Sequence, residues 1–158
     1  MDLDGSGVTT METAITKAFG DGEYRFWLPM PRVIAAEREM SRDRPRSILA
    51  LFYDLGENLA TSGGAMVMAG PSAATLHECQ TVIRNALCGG GEGMVDGAQV
   101  AVGDAMAQEL ARTYCYPARP AMHDIALAWE ILKAAIYGVQ IPADAKKKAE
   151  ATATQSPS

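Results

Sequence analysis

Cys115, His123 and Asp124 are the one Cys/His/Asp trio lying close together along this 158-residue sequence. A thiolate nucleophile needs a base within hydrogen-bond reach and a third group to orient that base. A helix ending near Cys115 and another starting near His123 would bring the first two together. Adjacent helical residues point in different directions, so Asp124 does not orient His123. A loop between helices, with an acid in the first turn of the second, accounts for the trio more simply. A small Cys/His enzyme therefore stands third among the functional readings.

Three other groupings could do chemistry. "DLDGSGVTTME" resembles a calcium loop, with Asp2, Asp4 and Ser6 on ligand positions and Gly7 at the turn. The place that must supply a bidentate carboxylate falls on Thr13, and Glu12 comes one residue early. His77, Glu78 and Cys79 contain metal-ligating types, but residues two apart on a helix do not face one site, and a zinc centre needs four converging ligands. "CGGGEG", Cys88 to Gly93, is glycine-rich, yet a phosphate cradle follows a strand and leads to a Lys or Ser/Thr. A helix precedes this one and no Lys follows, so it reads as a helix stop. No catalytic residue, metal or cofactor is expected, and the weight moves from enzyme to binding or assembly protein.

Composition supports that shift. Hydrophobic residues make up 48% and charged residues 21%, an ordinary globular balance. Aromatics at 6% and abundant alanine favour packed helices over a β-sandwich. The net charge of −5 argues against nucleic acid or anionic lipid as partner. No apolar run approaches twenty residues, so no membrane span is expected. The opening "MDLDGSG" is acidic and polar, unlike a secretion signal. Cys79, Cys88 and Cys115 form no C-x-x-C pair and read as reduced thiols of a cytoplasmic protein.

The elements that must position these residues follow from periodicity. Residues 1–12 read as flexible. "TAITKAF", "GDG" and "EYRFWL" read as strand, turn and strand, with Asp21-Gly22 as the hairpin signal. Tyr24 and Phe26 share one face, Arg25 and Trp27 the other. Helices are expected over 31–40, 46–60, 73–87 (capped by Ser72), 95–114 and from Pro120 to about 138, the last as the central, most buried one. Residues 142–158 are small, polar and charged and read as a disordered tail. The expected fold is mainly α within an α+β class: an N-terminal β-hairpin at 13–28 on a bundle of about five helices, in one domain over 13–141.

Two stretches are candidates for partner contact. Met66, Val67 and Met68 lie between glycine pairs in "GGAMVMAG". They read either as a short buried strand or core plug, or as a mobile apolar lip, since Met adapts to varied surfaces. Phe26 and Trp27 end the second strand, either as core or as an edge available to another subunit.

The order "FGDGEYRFWL", "P-x-x-V-I-x-x-E", "VIRNALCGGG", "YCYPARP" and "A-x-A-W-E-I-L-K-A-A-I-Y-G" resembles the small tail-gene products of gene transfer agents and siphophage-like prophages. The likeness spans about 13–139 and fits less well at 60–71. Members carry labels of tail assembly chaperone or tail tube protein. The resemblance implies a chaperone that coats the helical tape measure protein in the bacterial cytoplasm, or else a tube subunit retained in the virion tail. A tube subunit builds a ring from a large β-sandwich, which one hairpin and five helices do not supply; small helical proteins with adaptable surfaces fit the chaperone role, with possible self-association. Tail chaperones of this type are often made in two lengths by ribosomal slippage, and Lys146-Lys147-Lys148 could mark such a site; a solvated tail is the plainer account.

Overall fold

A computed structural model describes residues 9–142. In chain order the elements are β1 (Thr9–Glu12), β2 (Ile15–Phe19), β3 (Gly22–Phe26), α1 (Met30–Met40), α2 (Ile48–Glu57), β4 (Leu59–Ser62), β5 (Ala65–Met68), α3 (Leu76–Gly90), β6 (Glu92–Val95), β7 (Ala98–Ala101), α4 (Asp104–Tyr114), α5 (Ala121–Tyr137) and β8 (Val139–Pro142). This is an α+β protein with antiparallel sheets.

Each hairpin is made by its turn dipeptide. Gly20 alone has positive φ in the Gly20-Asp21 turn, whereas both residues do in Gly63-Gly64 and in Asp96-Gly97. Such turns match the twist of the flanking strands. The first hairpin therefore turns on Gly20-Asp21, one residue earlier than Asp21-Gly22. Tyr24 reaches back to donate its hydroxyl to Asp21 Oδ1 at 2.6 Å.

The first hairpin is not alone. β3 pairs with β6 through Glu23–Met94 and Tyr24–Gly93, giving a four-stranded antiparallel sheet in the order β2-β3-β6-β7. The expected helix over 95–114 begins only at Asp104, because residues 92–101 form the second hairpin of this sheet. The lone hairpin on a helical bundle is thus corrected to half of a sheet. Phe19, Tyr24 and Phe26 point from it into the core, with Phe19 edge-on to the other two rings at 6.4 and 5.8 Å.

Residues 9–12 were expected to be flexible; instead β1 pairs with β8, joining the two ends of the described chain. The calcium-like residues Asp2, Asp4, Ser6 and Gly7, the tail beyond Pro142 and the three lysines lie outside the described residues.

α3, not α5, is the central helix. It packs against α1, α4, α5 and β3, and is buried along most of its length. Its N-cap is Thr75 rather than Ser72. Thr75 Oγ1 accepts from the Glu78 N–H at 3.1 Å while Glu78 Oε1 accepts from the Thr75 N–H at 2.9 Å. Ser72 instead donates to the Asp54 carbonyl at 3.1 Å. At its other end α3 lies flat on β3. A β-carbon at Gly89 would overlap the Trp27 carbonyl oxygen, and one at Gly90 the Arg25 carbonyl oxygen. Only glycine allows that approach.

Candidate interaction surface

The Cys/His/Asp trio does not assemble. Cys115 is 1% exposed, while His123 is exposed on the first turn of α5. Asp124 is buried and engaged elsewhere, accepting from Gln80 Nε2 at 2.8 Å and from the Tyr116 N–H at 3.0 Å. Burial, with the charge of Asp124 beside it, pushes the Cys115 thiol up to about 12. Burial does the same to Cys79. An activated thiol would move the other way. Cys88 is half-buried and donates to Asp104 Oδ1 at 2.7 Å. Burial and that carboxylate raise its pKa as well.

His77, Glu78 and Cys79 also diverge. His77 is exposed, Cys79 faces the core, and Glu78 binds Arg46. Arg46 Nε and Nη2 donate to the two Glu78 oxygens at 2.8 and 3.2 Å, and its Nη1 donates to Asp54 Oδ2 at 2.6 Å. This buried network ties the α1–α2 loop to the start of α3. Among the described residues no group of three or more His, Cys, Asp and Glu could hold a metal ion. "CGGGEG" is the end of α3, where Gly91 takes the left-handed conformation that closes a helix. A cleft of about 230 Å³ between β2 and α5 gathers Lys17, Arg119 and His123. Lys17 is paired with Glu130 at 2.6 Å and Arg119 lies over the Tyr114 ring at 5.6 Å, which leaves no free cationic cluster there.

The sequence candidates for partner contact separate. Phe26 is 1% exposed in the core, which removes it from the contact set. Trp27 is half-buried: its N–H donates to the Ala86 carbonyl at 3.0 Å, its Nε1 to Thr13 Oγ1 at 2.9 Å, and Arg25 lies over its ring at 5.0 Å. The strand leading to it has neighbours on both sides and is not an edge. Met66, Val67 and Met68 form β5 of a small two-stranded hairpin with β4. Met66 and Val67 are half-buried and Met68 is 42% exposed. Met68 lies on one face with Met66, over an apolar cavity of about 70 Å³ lined also by Leu55, Leu76, Cys79 and Ile125.

A larger apolar surface lies beside this hairpin, on α2 and α5. α2 buries Ile48, Leu51 and Leu55. Leu49, Phe52, Tyr53 and Gly56 then form a second stripe at i, i+3, i+4 and i+7. Leu49 is 63% and Tyr53 65% exposed. Phe52 stacks on Trp129 of α5 at 5.9 Å and meets Tyr137 edge-on at 5.8 Å. Tyr137 is 66% exposed, and Lys133 sits 5.0 Å from the Trp129 ring. The surface runs on past Gly138, against which Met11 of β1 is packed. A groove of about 340 Å³ beside it is walled by Ile15, Trp129, Lys133 and Val139. Trp129 Nε1 is buried with no hydrogen-bond partner. Contiguous exposed apolar area of this kind marks interaction sites, and Trp and Tyr anchor many of them. The sequence held one overlooked signal: Leu49 and Tyr53 sit on the side of α2 that its core stripe leaves to solvent.

Fold and surface together define a small α+β protein with an exposed aromatic face across α2 and α5. Among the described residues no helix is long and apolar enough to cross a membrane. Comparison with protein families, characterised proteins and solved structures returns no match.

Proposed function

We propose that this chain is a non-enzymatic, phage-type tail assembly chaperone that binds the tape measure protein during tail morphogenesis. The α2–α5 face, with Leu49, Tyr53 and Tyr137 each more than 60% exposed, is the observation that supports this reading most. A helical partner lays its apolar stripe on such a surface by helix-in-groove contact. Met68 beside it adds an adaptable side chain. Many copies along one long helical protein act through avidity, so each contact can be weak. The resemblance of residues 13–139 to small tail proteins supplies the partner's identity, and the work belongs to the cytoplasm of a bacterial host. Co-expression with the neighbouring long tail gene, followed by affinity purification, tests it. The expected result is a stoichiometric complex; a long tail protein that purifies without this chain overturns the reading.

A second reading, a tail component retained in the particle, draws support from the four-stranded sheet, which offers strand edges to neighbours. Its strands are four or five residues long, short for a ring-building sandwich. Mass spectrometry of purified particles separates the two: a chaperone is absent and a tube subunit abundant.

A further inference from the structure

The β2-β3-β6-β7 sheet has two unlike edges. The β2 edge carries Lys17, which is paired with Glu130 of α5 at 2.6 Å. A charged, helix-backed edge discourages further pairing. The β7 edge reads Ala98, Gln99, Val100, Ala101, with no charge and no proline. Ala98, Gln99 and Ala101 are exposed and Val100 is half-buried.

Backbone parity fixes which groups at that edge are free. The Asp96-Gly97 turn closes on the pair Val95–Ala98. In an antiparallel ladder, alternate residues direct their N–H and C=O to the same neighbour. The Val102 N–H donates to the Gly91 carbonyl at 2.9 Å, continuing the β6–β7 pairing. Residues 98, 100 and 102 therefore bond towards β6. The N–H and C=O of Gln99 and Ala101 point outward, and among the described residues nothing receives either N–H.

We infer that β7 is an interface for a second copy of this chain, joined by antiparallel β7–β7 pairing about a two-fold axis through Val100. Opposed residues of an antiparallel pair lie on the same sheet face, and the two-fold carries each face onto itself. Centring on Val100 sets Gln99 opposite the second copy's Ala101, and Ala101 opposite its Gln99. Those are the residues with free backbone groups, so four hydrogen bonds form and none is left unmade between them. Val100 meets its own copy on the helix-facing side, a non-hydrogen-bonded position where side chains come closest. Ala98 and Ala101 present no bulk against the approach. The result is one continuous eight-stranded sheet. The inference stands apart from tape measure binding, which uses a different surface.

The test is sedimentation velocity on the full chain from about 1 to about 500 μM, the range in which a micromolar complex forms. A monomer–dimer equilibrium is expected. Gln99→Pro removes an outward N–H that β6 does not use, and Ala101→Lys sets a charge on the solvent face of the edge. Each should weaken the dimer at least tenfold with the far-ultraviolet circular dichroism unchanged. Amide exchange at Gln99 and Ala101 should slow with concentration in the wild-type chain. If Gln99→Pro fails to fold, Ala101→Lys alone decides. A chain that stays monomeric throughout, or a dimer that Ala101→Lys leaves intact, overturns the inference. A strand donated by a different protein would give the first of these outcomes.

Discussion

Arg46 is buried between two carboxylates, and its neighbours determine what its loss does. Burial pulls the guanidinium down, but Asp54 and Glu78 outweigh it and hold the pKa above its ordinary value. Arg46→Met leaves the buried Glu78 with only the half-exposed Arg44, 3.7 Å away, to offset its charge, which costs up to about 3–5 kcal/mol. Adding Glu78→Gln removes that charge and keeps an acceptor for the Thr75 N–H. The double variant should therefore be more stable than Arg46→Met in urea unfolding; the opposite order would show that attraction, not desolvation, governs the site. The buried thiols give a second prediction. Cys79 and Cys115 ionise near 12 in the fold, so both should resist iodoacetamide at neutral pH and react once unfolded. The sign of the pH effect follows. Above about 9 the unfolded thiols lose protons that the folded ones keep. The unfolded state then binds fewer protons, and stability falls as pH rises towards 12, by up to about 1.4 kcal/mol per unit for each thiol. Replacing both cysteines by alanine should flatten that slope. Fast labelling of native Cys115 would revive the small-enzyme reading.

At the scale of elements, two glycines should behave in opposite ways. Gly90 touches the β3 backbone, so Gly90→Ala must push α3 off the sheet, at about 2–3 kcal/mol or more. Gly56 lies inside α2, where a β-carbon would stand 3.5 Å from Trp129 Nε1 in ordinary contact. Gly56→Ala should stabilise by about 0.5–1 kcal/mol, since helical glycine carries an entropic cost that alanine does not. Thermal unfolding of the pair checks both signs. The same contrast explains what could be read in the sequence. α2, α3 and α5 were legible because each repeats apolar residues at helical spacing over two turns or more, and α1 because Pro31 suits the first turn of a helix. Strand alternation placed Tyr24 and Phe26 on one face; that this face is the buried one came from the structure. The start of α4 was misplaced because Val102, Met106 and Leu110 extend backwards to Val95 on a helical wheel; Asp96-Gly97 is as strong a turn signal as the one at the first hairpin and outweighs that periodicity. The β1–β8 and β3–β6 pairings could not be read, because register between distant strands lives in tertiary packing rather than in any local pattern. α5 looked central because apolar residues surround it. The structure instead places α3 at the centre and leaves part of α5's apolar surface, with α2's second stripe, to the outside.

For the whole molecule, the proposed function rests on that outward surface. Of the sequence candidates, Phe26 belongs to the interior and Met68 to the margin of the aromatic face, so the site was legible only at its edge. Leu49 and Tyr53 could be read as lying off the core stripe of α2, but Tyr137 could not be separated from core residues, and whether any of the three stays uncovered depends on which neighbour packs against the helix. They now give the sharpest whole-molecule test. Tyr53→Asp changes a side chain that is about two-thirds exposed, so folding stability should move by no more than about 0.5 kcal/mol, whereas Tyr137→Asp also loses the edge contact with Phe52 and sets an anion at the C-terminus of α5, at about 1 kcal/mol. Each places a charge at the centre of an apolar contact, where a single anchor residue is worth about 2 kcal/mol or more. Capture of the tape measure should therefore weaken by roughly 30-fold for each variant, with the thermal midpoint unchanged for Tyr53→Asp. Met68→Asp, at the margin, should weaken it less. The β7 variants change strand pairing on a different surface and should leave the affinity of a single copy intact, although loss of a paired copy would lower avidity on a long partner. If both tyrosine variants bind as the wild type does, the α2–α5 face is not where the partner sits, and the chaperone reading loses the surface it depends on.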